Sequence, residues 1–257
     1  MTAAEAARSL GTTQAQISNI EANRFGISAE RVHTLAHIYG CTDQPLVDAL
    51  AAMAGDRTRG WWEEYRDTLP PRLLDLAELE HHAKALRVTQ VINIPGLLQT
   101  PEHARALFRQ AVPALRPHEI EYRVSHRIKR QAILHREQPP SYTAIVHEAA
   151  LRMQFGGREV ARAQLHHLAE ISGHPAVNLR VIPFDGTSFP TTGHAVDYFH
   201  GAVPTLDTVE VDTAHGNELI DAAGQLEKYR LVLDRMEAVA LKPAPSLDLV
   251  HRISQDL

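Results

Sequence analysis

The sequence predicts a small all-α domain at the N-terminus followed by a larger mixed α/β domain. Apolar residues recur at helical spacing over residues 2–39, whereas segments rich in β-branched residues at 141–147 and 177–182 have the pattern of strands. A glycine-bounded segment at 55–60 separates the two regions, and 257 residues are enough for two cores. We therefore assign residues 1–54 to the first domain and residues 55–257 to the second.

The first domain opens with two short helices joined by a tight turn. Thr2 and Glu5 have the spacing of a capping box, so a first helix can begin at once and run to about Leu10. Gly11 makes the turn, and Thr13 is placed to cap the second helix. This layout predicts a helix-turn-helix, the arrangement with which many proteins read DNA.

The first turn of the second helix carries the side chains that would meet base edges. Gln14, Ala15 and Gln16 occupy this turn, while Ile17 and Ile20 are expected to face inward. A glutamine amide can both donate to and accept from adenine, a contact worth about 1–3 kcal/mol of discrimination against the wrong base. The alternative is a polar, solvated helix face without a partner.

The stretch LGTTQAQISNIEANR closely resembles the LGxSQxxISxIExG signature of the Xre/Cro/phage-repressor family of transcriptional regulators. The resemblance continues through VHTLAHIYG and implies that double-stranded DNA is bound in its major groove. By this resemblance the side chains facing the groove are Gln14, Ala15, Gln16 and Asn19, and those approaching phosphates are Thr13 and Asn23. We add Arg24 as a phosphate contact that would serve all sequences alike.

Two features of the first domain depart from that family. Its members normally carry one further helix before the first one seen here, so we expect that helix to be missing from this sequence. Residues 1–54 also contain three arginines against five carboxylates, a net charge of −2. Because lysine and arginine supply most non-specific affinity for DNA, one copy should bind weakly, and we expect a homodimer that reads two half-sites.

The second domain carries a second resemblance. The string IPGLLQTPEHARAL closely resembles the VPGLLQTxxYARA motif of a large C-terminal domain that follows such readers in many actinobacterial regulators, with His103 in place of the usual tyrosine. It continues through RIKRQAIL, VHEAALR and NLRVIPFDG. That family is described as antitoxin-like, because it is encoded beside a small partner protein. The resemblance implies a role in regulation, dimerisation or partner binding, and no catalytic residue.

The spacing of apolar and β-branched residues predicts the remaining helices and strands. Asp43 is expected to cap a helix that ends near residue 55, and an apolar stretch lies at 91–94. We expect helices and strands alternating in a βαβ-like arrangement, with strands at 141–147, 177–182, 195–199 and 208–211 and helices at 116–136, 158–171, 218–240 and 246–255.

One predicted helix presents a basic face. Arg123, Arg127 and Arg130 are spaced i, i+4 and i+7, so they share a face that could meet phosphate or an acidic partner. The alternative is a solvated helix whose charge is partly balanced by Glu119 and Glu121.

The sequence shows no pattern of catalysis, metal binding or cofactor binding. Adjacent histidines at 81–82 and 166–167 would diverge by about 100° on a helix. His194, Asp197 and His200 would converge only if their segment bends. No Walker loop, GxGxxG or GxSxG motif occurs. We therefore expect a protein that is not an enzyme, with no cofactor and no metal.

No apolar run of about 18 residues and no signal segment occurs, which predicts a cytoplasmic protein without membrane contact. Cys41 is expected to be a buried thiol. The sequence therefore predicts a sequence-specific DNA-binding transcriptional regulator. The alternatives are a protein that sequesters a partner and has a non-functional reader, and a small-molecule sensor that uses the cleft between the strands and the 185–193 loop.

Overall fold

The computed structural model describes residues 2–22, 24–56, 59–190, 193–213 and 216–257. The chain divides into two compact units, Met1–Gly60 and Trp61–Leu257. The first unit is helical and the second combines helices with a sheet, so the predicted fold class is confirmed.

The first unit is built from short helices with side-chain caps. In chain order they are α1 (Ala3–Ser9), α2 (Gln14–Glu21), α3 (Ala29–Tyr39) and α4 (Gln44–Gly55). Each is preceded by a residue whose side chain accepts a hydrogen bond from a backbone N–H of the first turn, namely Thr2, Thr13, Ser28 and Asp43. Gly11, between α1 and α2, has a φ of 63°, a left-handed conformation that favours glycine. The predicted capping box at Thr2 is confirmed.

A small apolar cluster holds these helices together. Ala6 and Ala7 of α1, Ile17 of α2 and Leu35 of α3 are buried against one another, with Ile20 packed at the edge. The inward orientation predicted for the two isoleucines is confirmed. The prediction for Cys41 is wrong, because its side chain is exposed. The αL turn at Gly40 ends α3 just before it, so Cys41 lies outside the helix.

The second unit contains, within the described residues, a six-stranded sheet flanked by helices. The strands are β1 (Ala85–Gln90), β2 (Ser141–His147), β3 (Val177–Ile182), β4 (Val196–His200), β5 (Thr208–Thr213) and β6 (Gly216–Ile220). The helices are α5 (Pro71–His82), α6 (Pro101–Phe108), α7 (Pro117–Arg130), α8 (Glu148–Arg152), α9 (Arg158–Ile171), α10 (Ala223–Val239) and α11 (Pro243–Asp256).

The strand order is β3-β2-β1-β4-β5-β6. β1, β2 and β3 pair in parallel, whereas β4 pairs antiparallel with β1 and continues into the antiparallel strands β5 and β6. The helical connection between β2 and β3 makes a βαβ unit, as predicted. We call the place where parallel pairing gives way to antiparallel pairing, between β1 and β4, the switch point.

Alternation along the strands sends apolar side chains to both faces of the sheet. Leu86 and Val88 of β1 pack in the main core with residues of α5, α9 and α11. On the opposite face Val196 and Tyr198 of β4 pack against Leu226 of α10. The sheet is therefore covered on both sides, as expected of strands that include parallel pairs.

Two strands were not predicted from the sequence. β1 spans Ala85–Gln90, just before the apolar stretch at 91–94. Its arginine, threonine and glutamine obscured it, because strands of a parallel sheet are usually continuous apolar runs. The helix predicted from residue 218 begins at Ala223, because Gly216–Ile220 pairs with β5 as β6. That pairing is tertiary and overrides the local pattern.

A buried ion pair joins α5 to α7 beneath the sheet. Glu80 is 2% exposed and Arg130 is 3% exposed. The Nε of Arg130 donates to Oε2 of Glu80 at 2.7 Å, and its Nη2 donates to Oε1 at 2.5 Å. This bidentate geometry satisfies two donors and two acceptors at once, which a buried pair needs to offset the loss of water.

We predict that Glu80→Ala destabilises the second unit by about 3–5 kcal/mol, because it leaves the Arg130 guanidinium buried without its carboxylate. The matched control is Glu78→Ala, which removes an exposed carboxylate from the same helix and should change stability by less than about 0.5 kcal/mol. Urea unfolding followed by tryptophan fluorescence reports this unit, because Trp61 and Trp62, the chain's two tryptophans, both lie in it. Equal stabilities of the two variants would contradict the prediction.

Candidate nucleic-acid interface

The first turn of α2 is exposed and its start is fixed by a cap. The Oγ1 of Thr13 accepts a hydrogen bond from the backbone N–H of Gln16 at 3.3 Å. Thr13, Gln14, Ala15 and Gln16 are all exposed. A helix N-terminus also carries N–H groups without intrahelical acceptors and a positive dipole end, both of which favour an anion such as a phosphate.

The turn before α2 orients one of these side chains. The hydroxyl of Thr12 donates to Oε1 of Gln16, which holds that amide along the start of the helix. Gly11 gives the turn its sharpness, so α1 packs against α2 while leaving the outer side of α2 uncovered. Gln14, Ala15 and Gln16 are thus all exposed in the capped first turn of α2.

The far end of α2 is tied down by backbone and side-chain hydrogen bonds. The carbonyl of Asn19 accepts from the N–H of Arg24 at 2.8 Å and of Phe25 at 3.2 Å. Asn19 itself is half-buried, whereas Arg24 is exposed. Asn23, predicted to approach a phosphate, lies outside the described residues. The loop after α2 thus holds the exposed Arg24 next to the helix.

A second tie links α2 to α3. The hydroxyl of Tyr39 donates to Oε1 of Glu21 at 2.7 Å, and this hydrogen bond, with a smaller effect of burial, raises the pKa of Tyr39 to about 12. The hydrogen bond fixes the end of α2 relative to α3. A rigid reader needs such ties, because base contacts depend on a helix whose orientation is set beforehand.

The predicted basic face of α7 is not a uniform surface. Arg130 is buried and bound to Glu80, so the solvated-helix interpretation is wrong for this residue. Arg127 is half-buried; its Nη1 donates to Oε1 of Gln99 at 2.7 Å. Arg123 is half-buried and donates to the carbonyl of Glu119 at 3.2 Å. The face therefore points partly into the second unit.

Sequence reasoning missed the acidic residues that face these arginines. Asp197 of β4 and Glu210 of β5 line, with Arg127, a cavity of about 300 Å³ at the switch point. The signal was present as carboxylates inside apolar strands, in the strings AVDYF and TVEVD. An ionisable group within a buried strand is costly and marks a site of special chemistry.

Two histidines are buried, His103 of α6 and His126 of α7. His103 and His126 are each 1% exposed. Burial, followed by the charge of Arg127, lowers the pKa of His103 to about 4. Burial, followed by the charges of Arg130, Arg127 and Lys129, lowers the pKa of His126 to about 3. Both rings are therefore neutral at pH 7.

In the described ranges no group of three or more histidine, cysteine, aspartate or glutamate side chains is arranged to hold a metal ion. The same residues include no helix that is long and apolar enough to cross a membrane.

Comparison with known families gives two matches. Residues 73–252 match the family model described as a domain of unknown function, DUF5753. Residues 1–46 match the helix-turn-helix model. No curated protein matches the chain, and no solved structure does. The helix-turn-helix match indicates a DNA-binding regulator.

We predict that acid destabilises the second unit through its buried histidines. A histidine whose pKa is lowered by folding contributes full stability above its unfolded value near pH 6.5, and that stability is lost as the pH falls toward 4. For His103 the loss over this range should be roughly 1–3 kcal/mol.

His103→Phe should make the stability of the second unit less dependent on pH, because phenylalanine binds no proton in either the folded or the unfolded chain. The control, His166→Phe, alters an exposed histidine of α9 and should leave the dependence as it is. Urea unfolding at a series of pH values between 4 and 7, followed by tryptophan fluorescence, compares the two variants. Parallel curves for His103→Phe and the unchanged chain would overturn the prediction.

Proposed function

Because this chain belongs to the DUF5753 family and carries a helix-turn-helix domain, we propose that it is a sequence-specific transcriptional regulator that reads DNA through α2. The observation that carries the proposal is the capped, exposed first turn of α2, which brings Gln14, Ala15 and Gln16 onto one surface. Such a turn fits the major groove, where the N-terminal residues of a recognition helix meet base edges.

The roles within this turn follow from side-chain chemistry. The amide of Gln14 can accept from adenine N6 and donate to N7, so it discriminates among bases. Thr13 and Arg24 lie at the two ends of α2, both exposed, and contact phosphates. Phosphate contacts set the position of the protein on the duplex but carry no sequence information of their own.

The low charge of the reader supports binding as a homodimer. With a net charge of −2 over residues 1–54, one copy gains little from phosphate neutralisation. Two copies on one duplex read two half-sites about one helical turn apart and double the number of base contacts. Linking the two binding events raises the affinity without any new contact within each half-site.

The second unit supplies regulation in this proposal. By its resemblance to the antitoxin-like family, a small partner protein encoded nearby binds it and modulates the action of the reader. The protein works in the cytoplasm, where its operator is. The proposal assigns the chain no catalytic step and no cofactor.

We predict that Gln14→Ala lowers the preference of the chain for its operator over a shuffled duplex, by about 1–3 kcal/mol at the base that Gln14 reads. Arg24→Ala should instead weaken binding to both duplexes alike and reduce the slope of affinity against salt by about one. Fluorescence anisotropy with labelled DNA from upstream of the protein's own gene, at several salt concentrations, measures both effects.

A matched control is Gln44→Ala. Gln44 is exposed and is the first residue of α4, after the cap Asp43, just as Gln14 is the first residue of α2. This variant should bind as the unchanged chain does. Equal behaviour of Gln14→Ala and Gln44→Ala would refute the proposed reading surface. A chain that holds a partner protein equally well with and without Gln14→Ala, yet never prefers its own DNA, would favour partner sequestration.

A further inference from the structure

The cavity at the switch point lies where an α/β sheet typically binds its ligand. Its polar floor comes from the end of β1 at Gln90, the start of β4 at Asp197 and the end of β5 at Asp212. In open α/β sheets, ligands bind outside the carboxyl ends of strands where the topology reverses. Here the parallel strands end at β1, and its carboxyl end opens onto the cavity.

Two carboxylates face each other across adjacent strands in this cavity. Asp197 of β4 is the direct cross-strand partner of Glu210 of β5, and both side chains lie on the face of the sheet that carries Val88. Asp212 lies two residues further along β5, on the same face. Like charges placed directly opposite are destabilising. Because two facing carboxylates are costly in a buried place, the pair Asp197 and Glu210 indicates a functional role.

The cavity also concentrates unsatisfied polar atoms. Over the ranges that the structure describes, seven buried side-chain nitrogen and oxygen atoms have no hydrogen-bond partner. Three of them belong to residues lining this one cavity, namely Nε of Arg127, Oδ1 of Asp197 and Oε2 of Glu210. Glu210 is 7% exposed. Buried polar atoms are almost always hydrogen-bonded, so such a group of three points to a missing partner.

The three atoms do not satisfy one another. Among the described residues no carboxylate oxygen lies within 4.0 Å of Arg127. Burial, followed by the charge of Arg130, lowers the pKa of Arg127 to about 10, and the more distant charges of Glu80, Asp212 and Asp197 oppose this shift only in part. Arg130, which also lines the cavity, is bound to Glu80 through Nε and Nη2, and among the described residues it forms no ion pair with Asp197 or Glu210 within 4.0 Å. The cavity thus holds a donor and two acceptors separated by a gap.

Part of the wall is apolar. Leu107, Phe108 and Ala111 from α6 and the following turn line the cavity, and Arg127 stacks on the Phe108 ring at 4.7 Å. A volume of about 300 Å³ corresponds to the smallest ligand sites of proteins. The ligand is therefore small and has an apolar part beside its charged groups.

The chemistry of the lining selects one class of ligand. A metal ion does not fit, because no group of three suitable ligands is assembled in the described part of the chain. A simple anion would meet Asp197 and Glu210, and a simple cation would leave the Nε of Arg127 without an acceptor. We propose that the cavity binds a small zwitterion, whose ammonium group contacts Asp197 and Glu210 and whose carboxylate contacts Arg127.

The pKa shifts of the two carboxylates agree with this assignment. Burial, followed by the charge of Asp212, raises the pKa of Glu210 to about 7, while Arg130 and a hydrogen bond from Asn217 oppose the shift. Burial, followed by the charges of Glu210, Glu80 and Asp212, raises the pKa of Asp197 well above its usual value. An ammonium group would take the place of a proton on these carboxylates, so binding at pH 6 releases protons.

Isothermal titration calorimetry with the whole chain tests the proposal. The zwitterionic probes are L-leucine and L-phenylalanine, which offer two sizes of apolar body. Each has a matched amine without the carboxylate, isopentylamine or phenethylamine, and a matched acid without the amine, 4-methylpentanoate or 3-phenylpropanoate. At least one amino acid should bind at millimolar concentration more tightly than both of its analogues. Its binding heat at pH 6 should vary with the ionisation enthalpy of the buffer, as proton release requires.

Variants separate this site from adventitious binding. Glu210→Gln and Arg127→Gln should each weaken the amino acid about 10- to 100-fold, the usual worth of a hydrogen bond to a charged group. The control, Glu218→Gln, changes an exposed carboxylate of the neighbouring strand β6 and should leave affinity unchanged. Circular dichroism shows that each variant is folded.

Three outcomes would overturn the proposal. They are no binding of either amino acid, an amine or an acid that binds as tightly as its parent, and an affinity that survives Glu210→Gln. None of them bears on DNA reading by α2, which is measured separately.

Discussion

The ion pair between Glu80 and Arg130 is the constraint on which the second unit depends. It joins α5 to α7 in a place where both side chains are almost wholly removed from water. Such a pair is tolerated only when its geometry is close to ideal, because the loss of hydration is large and must be offset by strong hydrogen bonds. The pair therefore ties α7 to α5 beside the cavity that Arg130 helps to line.

The cavity beside this ion pair is lined by polar atoms that the pair does not satisfy. Arg130 is paired with Glu80 through Nε and Nη2, and in the described residues Arg127, Asp197 and Glu210 form no ion pair within 4.0 Å. The sheet places Asp197 and Glu210 opposite each other by strand register, and the position of α7 brings Arg127 over them. The lining and the charge of the cavity thus depend on the packing of α7 and on the pairing of β4 with β5.

Local patterns in the sequence were enough for much of the fold. The caps at Thr2, Thr13 and Asp43 are visible as short motifs, because a cap and its helix lie within a few residues of each other. The exposed first turn of α2 follows from the same reasoning. Strands β2 and β3 carry enough β-branched residues to be recognised without knowledge of their neighbours.

Features that depend on contacts between distant parts of the chain could not be predicted from such local patterns. β1 contains polar residues on a buried strand, and β6 exists because β5 pairs with it. The cavity depends on Arg127, Asp197 and Glu210, which lie in three separate elements and meet only through sheet register and helix docking. The arginines were recognised as a helix face, but their acidic partners could be identified only once the strand order was known.

The proposed function rests on α2 reading a specific DNA sequence. Selection of random DNA duplexes by the 257-residue chain at low salt, followed by sequencing of the bound fraction over successive rounds, tests this step. We expect enrichment of one motif, present as two half-sites about 10 base pairs apart. A bound fraction with no common sequence, indistinguishable from the starting pool, would contradict it.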